Sequence, residues 1–178
     1  MKKKFFYFLP FFVFMLIAFF LWRGLRLDPA QLPSTLIDKV APSFVLPSLL
    51  DEQKKIRSSI FYGKISIVHV WSSECKVCEN EYDVLLQLAQ LPKVQLIGLD
   101  YEDDPISAKR YLLEKGNPYH QVLRGDQKNV GLNWGIYGTP ETFVIDQRGV
   151  IRGKWLGSLN EEKTREQLKA CLRSLKDA

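Results

Sequence analysis

From Phe5 to Trp22 the chain runs without a charged residue. A helix rises about 1.5 Å per residue and needs roughly 18–20 apolar residues to cross a hydrocarbon core, so this run predicts a transmembrane span. Pro10 lies in its first third and kinks such a helix without stopping it. Leu27 to about Asp38 is polar, contains proline and has no periodicity, which reads as a tether. Beyond it the pattern changes. Lys64–Trp71 is rich in β-branched residues and predicts a buried strand. Cys78, Tyr82, Leu85 and Ala89 then recur at spacings of four, three and four, one face of a helix. Val94–Leu99 is the next strand. Asp104 caps a helix with Pro105 at its first position, and Gly116 stops it after Lys115. Tyr119–Leu123 reads as a strand and Asn129–Trp134 as a short irregular helix. Glu141–Ile145, a turn at Asp146–Gly149 and Val150–Leu156 form an antiparallel hairpin. A last helix runs from about Asn160 to Leu175, with Leu168, Cys171, Leu172 and Leu175 on its apolar face. Strands alternating with helices and closing in a hairpin predict an α/β domain, a mixed central sheet covered on both faces.

Charge sharpens the division. The net charge of +5 in 178 residues comes entirely from Lys2, Lys3, Lys4, Arg23 and Arg26; the remainder holds 20 basic and 20 acidic residues. With no basic surplus on the folded part, nucleic acid is excluded as a partner. The leading lysines favour a cytoplasmic N-terminus, while Arg23 and Arg26 on the far side weaken that bias. A cleaved signal peptide is the rival, but no small-x-small site follows the run, so an uncleaved anchor is expected. The organisation expected is a cytoplasmic N-terminus at 1–4, a transmembrane anchor at 5–22, a linker at 23–39 and one domain at 40–178. Nothing in the sequence argues for an oligomer, and a monomer is expected.

Three cysteines exclude a multi-bridge scaffold. Cys75 and Cys78 form a Cys-x-x-Cys pair where a strand passes into a helix. There the first sulfur meets free backbone N–H groups and the positive end of the helix dipole, which favour its thiolate. The second lies one turn on, close enough to close a disulfide. On this logic Cys75 attacks and Cys78 resolves. Lys76 favours the thiolate, while Glu74, Glu79 and Glu81 oppose it. A metal half-site and two inert thiols remain as alternatives. Structural zinc wants four ligands, and His69 and His120 are the only histidines, so no metal is expected. Cys171 reads as a small apolar residue of the last helix.

Strand, Trp71, Cys-x-x-Cys helix and a Thr139-Pro140 before a strand resemble the thioredoxin superfamily. Gly135-Ile-Tyr-Gly-Thr-Pro-Glu-Thr-Phe-Val-Ile-Asp146 is similar, more narrowly, to the CcmG/DsbE family of cytochrome c maturation. Leu99–Asp104, Lys115–Tyr119 and the N-terminal anchor resemble that family too. The resemblance implies a thioredoxin fold with a cis Pro140 against the redox pair. It implies a single-pass protein of the bacterial inner membrane with its catalytic domain in the periplasm. Its activity would be disulfide reduction, the Cys75–Cys78 pair serving without a further cofactor. Electrons would come from a DsbD-like membrane thiol reductase and pass to apocytochrome c or a CcmH-like protein.

Two positions depart from that family. Glu74 stands where a tryptophan usually precedes the first cysteine, and His69 replaces a polar amide. A histidine there offers a proton relay to Cys78, against the plainer reading of a core histidine bonded to backbone. Glu141 reads either as a group that assists proton transfer or steers partners, or as a solvated charge at a strand end. Trp71 is expected to pack and to wall the thiol site, and Tyr137 either to border it or only to pack. A periplasmic oxidase or isomerase is the main rival activity. A peroxiredoxin is excluded by Val68, where a proline would be needed. A copper chaperone of this fold would space its cysteines by three residues, not two.

Overall fold

The computed structural model describes residues 2–25, 35–125 and 128–176. It divides into two units, Met1–Leu32 and Pro33–Ala178. The described residues of the first form one helix, α1 (Lys2–Leu25), with Pro10 inside it. Its described side chains, Phe8 to Gly24, are almost all exposed. Among the described residues no helix is long and apolar enough to cross a membrane. Most of the expected linker, residues 26–34, lies outside the described residues.

The second unit is a thioredoxin-like sheet flanked by helices. A small antiparallel pair, β1 (Val45–Pro47) and β2 (Lys55–Arg57), leads through a 3-10 turn at Ser58–Phe61 into the main sheet. That sheet holds β3 (Ile65–Trp71), β4 (Val94–Asp100), β5 (Gln121–Arg124), β6 (Glu141–Ile145) and β7 (Ile151–Leu156), in the order β5-β4-β3-β6-β7. β5, β4 and β3 are parallel; β6 and β7 join antiparallel. Every residue of β3, β4 and β6 is buried, as continuous apolar strands require when both faces are covered.

Period-two alternation deals the strand residues to two cores. Ile65, Ile67 and Trp71 pack with α3 (Tyr82–Ala89), α4 (Pro105–Lys115) and α6 (Glu162–Lys176) through Leu85, Leu88, Ala108, Leu112, Leu168 and Leu172. Val68 and Val70 face the other way, toward Phe143, Ile145 and Trp134 at the end of α5 (Lys128–Trp134). His69 therefore projects on the α3 side.

Two expectations need correction. The helix after Cys75 is not continuous: α2 covers only Lys76–Glu79, and α3 starts at Tyr82. Between them the backbone tightens, Asn80 N–H and Glu81 N–H bonding back to Val77 and Cys78. The junction is held from outside, because Asn160 Nδ2 donates to the Asn80 carbonyl at 2.7 Å. Folded contacts also begin ahead of residue 40. Leu36 and Ile37 pack on the second core, and Asp38 N–H donates to the Ile151 carbonyl at 2.8 Å. The β1–β2 pair is an addition, since its strands are too short for a periodic signal.

Candidate active site

Cys75 and Cys78 are joined in a disulfide, their Cα atoms 5.3 Å apart. Cys75 is the N-cap of α2, and its Sγ accepts from the Cys78 backbone N–H at 3.1 Å. The same donor is available to a Cys75 thiolate, which is the local reason for placing a sulfur at a helix start. Cys75 is half-buried while Cys78 is only 4% exposed. One sulfur thus faces partners and the other faces the protein. The turn before them is fixed by Asp103, whose carboxylate accepts from both the N–H and the hydroxyl of Ser73. Glu74 and Lys76 are exposed beside the pair, and Glu79 is drawn away to Lys115.

Behind Cys78 lies a buried cluster of polar side chains. Glu81 and His69 are both fully buried, and His69 Nε2 stands 3.1 Å from Glu81 Oε2. The other Glu81 oxygen accepts the backbone N–H of Leu159. His69 Nδ1 meets the Tyr119 hydroxyl at 2.8 Å. Burial pushes the Tyr119 phenol well above its ordinary range, with the charges of Tyr111, Glu81 and Asp100 adding to it, so it stays protonated. A ligand-type atom of each of His69, Cys78 and Glu81 falls within 4.8 Å of the others. The plainer reading of His69, a core histidine bonded to backbone, is corrected: its partners are two side chains.

Gly98 makes room for this chain of groups. It sits opposite His69 in the β3–β4 register, and a Cβ there would come within 2.8 Å of both Trp71 Nε1 and the Tyr119 ring. Trp71 is 1% exposed, stacked on Tyr119 at 5.7 Å and tilted against Tyr111 at 5.5 Å. It lies in the core that includes Cys78 and supports the site from beneath.

The loop Gly135–Pro140 forms the rest of the site. Thr139–Pro140 is cis, and β6 pairs antiparallel with β3 through Val70 and Glu141. Continuing that register sets Pro140 across from Trp71, at the end of the sheet where Cys75 lies. Glu141 is 2% exposed, so the solvated strand-end reading is wrong. One of its oxygens accepts from the N–H groups of Tyr137 and Gly138 at 2.6 and 3.1 Å; the other faces Lys154 Nζ at 3.2 Å. Lys154, 5% exposed in its side chain, also donates to the Gly135 carbonyl at 2.6 Å and lies 4.6 Å from the Tyr137 ring centroid. The two charges clamp the loop and leave Tyr137 74% exposed at its tip.

Sequence reasoning missed the roles of Glu81, Tyr119, Asp103 and Lys154. Glu81 alone carried a signal: it follows Cys78 by three and precedes Leu85 by four, an acid on the apolar face. The others are placed by pairings across 13 residues or more.

The Redoxin family profile matches residues 37–172. The thiol:disulfide interchange protein DsbE of Pseudomonas fluorescens is 42% identical over 175 residues, 98% of this chain and 97% of that protein. DsbE of Pseudomonas aeruginosa is 40% identical, covering 95% and 93%. Among solved structures, the thioredoxin domain of a thiol-disulfide oxidoreductase from Bacteroides vulgatus superposes with a TM-score of 0.64 at 20% identity, over 76% of this chain and 99% of that one. A secreted thiol-disulfide isomerase from Corynebacterium glutamicum gives 0.65 at 20%, over 78% and 86%.

Proposed function

The chain belongs to the Redoxin family and, within it, to the DsbE thiol:disulfide interchange proteins; from that premise we propose that it works as a periplasmic reductant, tethered to the inner membrane, for the disulfides of apocytochrome c or a CcmH-like carrier. Disulfide oxidoreductase activity follows from the family itself. The direction, the compartment and the partners are the proposal.

The observation that carries the reductive reading is the buried acid behind the pair. When Cys75 has attacked a substrate disulfide, Cys78 must lose its proton to resolve the mixed disulfide. In the 4.8 Å grouping with Cys78, His69 and Glu81 are the groups that take that proton, and Tyr119 fixes the imidazole. The acidic side chain of Glu81 within that grouping opposes negative charge on the pair. A dithiol whose thiolate is less favoured has a lower reduction potential and gives up electrons more readily. The cis Pro140 loop offers extended backbone to a peptide, and Tyr137 an aromatic face. Charge-free residues Phe5–Trp22 and the exposed apolar surface of α1 support an anchor.

The test is the reduction potential of Cys75–Cys78, equilibrated against a defined thiol couple. A value of about −200 to −270 mV, the range of glutaredoxins and thioredoxin, supports a reductant fed by a membrane donor of the DsbD type. A value near about −120 mV, that of the strong oxidant DsbA, would replace reduction by disulfide introduction.

A further inference from the structure

We infer that the reduced protein binds a soft divalent cation of the zinc class between the buried side chains of Cys78, His69 and Glu81, and that the oxidised protein does not. Only the Cys-x-x-Cys pair suggests a ligand set in the sequence, and two ligands do not hold zinc. The fold supplies the others. A ring nitrogen of His69, a carboxylate oxygen of Glu81 and the sulfur of Cys78 lie within 4.8 Å of one another, all on buried residues. Zinc bonds of about 2.0–2.3 Å place tetrahedral ligand atoms roughly 3.3–3.8 Å apart, so the cluster closes on a cation with shifts on the order of an ångström. Cys75 Sγ, the disulfide partner of Cys78, is the fourth donor.

The surroundings orient these groups as ligands. The Tyr119 hydroxyl occupies His69 Nδ1 and leaves Nε2 on the side of Glu81. The Leu159 N–H occupies one Glu81 oxygen and leaves the other. Metal-bound histidines and carboxylates are held by such outer hydrogen bonds, whose loss typically weakens binding by about 10–100-fold.

Oxidation state gates the site. In the disulfide both sulfurs are spent on each other. Two electrons and two protons from a dithiol donor open the S–S bond. Each thiol then gives its proton to solvent as it binds, so metal and proton compete for the same site. A bound cation occupies both sulfurs, blocks exchange and draws the couple toward the dithiol. The inference rests on the pair being reducible.

The experiment uses the full chain in detergent, reduced with a phosphine that does not bind zinc, with free thiols counted before equilibrium dialysis against zinc and titration with cobalt. One cation per reduced chain is expected, with none above background in the oxidised chain. The cobalt adduct should show the visible bands of a tetrahedral site and thiolate charge transfer. His69→Asn should weaken binding tenfold or more. If Glu81→Gln does not fold, His69→Asn, which keeps a hydrogen-bonding amide, and Cys75→Ser at its half-exposed position carry the same comparison. Three free thiols with no zinc uptake would overturn the inference. So would an affinity indifferent to His69, the mark of a bare dithiol chelate. A thiol count that stays at Cys171 alone overturns this inference and the redox reading together.

Discussion

A cysteine behaves here as its surroundings dictate. Cys75 caps a helix and is half-buried, whereas burial pushes the Cys171 thiol above its ordinary range, with Arg152 only partly offsetting it. The thiolate is the nucleophile, so in reduced protein near neutral pH iodoacetamide should label Cys75 well before Cys171; equal labelling rates by mass spectrometry would reject that assignment. The His69–Glu81 pair makes a second residue-scale prediction. Glu81→Ala strips a partner from both the Leu159 N–H and His69 Nε2. Orphaning buried polar groups of this kind costs about 3 kcal/mol or more, readable by urea unfolding. His69→Asn keeps an amide toward Glu81 and loses the basic nitrogen. It should therefore fold and slow resolution by Cys78 at neutral pH; an unchanged pH profile of thiol exchange would sink the relay.

At the scale of elements, buried charge holds two loops, the cis-proline loop at the site and the β6–β7 turn at the opposite end of the sheet. Lys154 on β7 reaches Gly135, Tyr137 and Glu141 at once, so it positions the cis-proline loop without touching the sulfurs. Lys154→Met leaves Glu81 and the pair intact but strands the Glu141 carboxylate. A loss of about 3–5 kcal/mol in stability is expected. A raised KM for a peptide disulfide at little-changed kcat should accompany it, with Lys154→Arg restoring most of both. The β6–β7 turn depends on Asp146. Burial pushes its carboxyl up, but hydrogen bonds from Val150 N–H, Arg152 and Arg148 N–H outweigh this and set it below its ordinary value. A carboxyl lowered in the folded state stabilises above its unfolded pKa of about 3.9, and that contribution disappears as pH falls through the folded value. Urea midpoints should therefore drop below about pH 4, and Asp146→Asn should flatten the drop; a wild-type-like acid limb in that variant would disprove the assignment.

For the molecule as a whole, the apolar run and the folded unit should separate cleanly. The full chain is expected in the membrane fraction. A chain beginning at Pro33 should be soluble with the Cys75–Cys78 potential unchanged, because the disulfide, the Glu81 cluster and the Lys154 clamp all lie within the second unit. A potential that moves on truncation would show that the N-terminal segment takes part in the site.

Local chemistry is what the sequence determined on its own. β-Branched runs, the Asp104 cap, Gly116 and the Asp146–Gly149 turn announced β3, β4, α4 and the closing hairpin, because each signal is complete within a few residues. Cys75 and Cys78 were legible for the same reason, their three-residue spacing being the whole of the motif. Tertiary structure decided everything that needed a distant partner. The helix after Cys75 breaks because residues 159 and 160 dock on Glu81 and Asn80. An acid that looked like one more charge near a thiolate became a buried partner of His69, and a lysine on the last strand became the clamp of a loop 19 residues earlier. Such pairings form because a buried charge or N–H must find a complement wherever the packed sheet brings one within reach, and separation along the chain does not encode which one that will be.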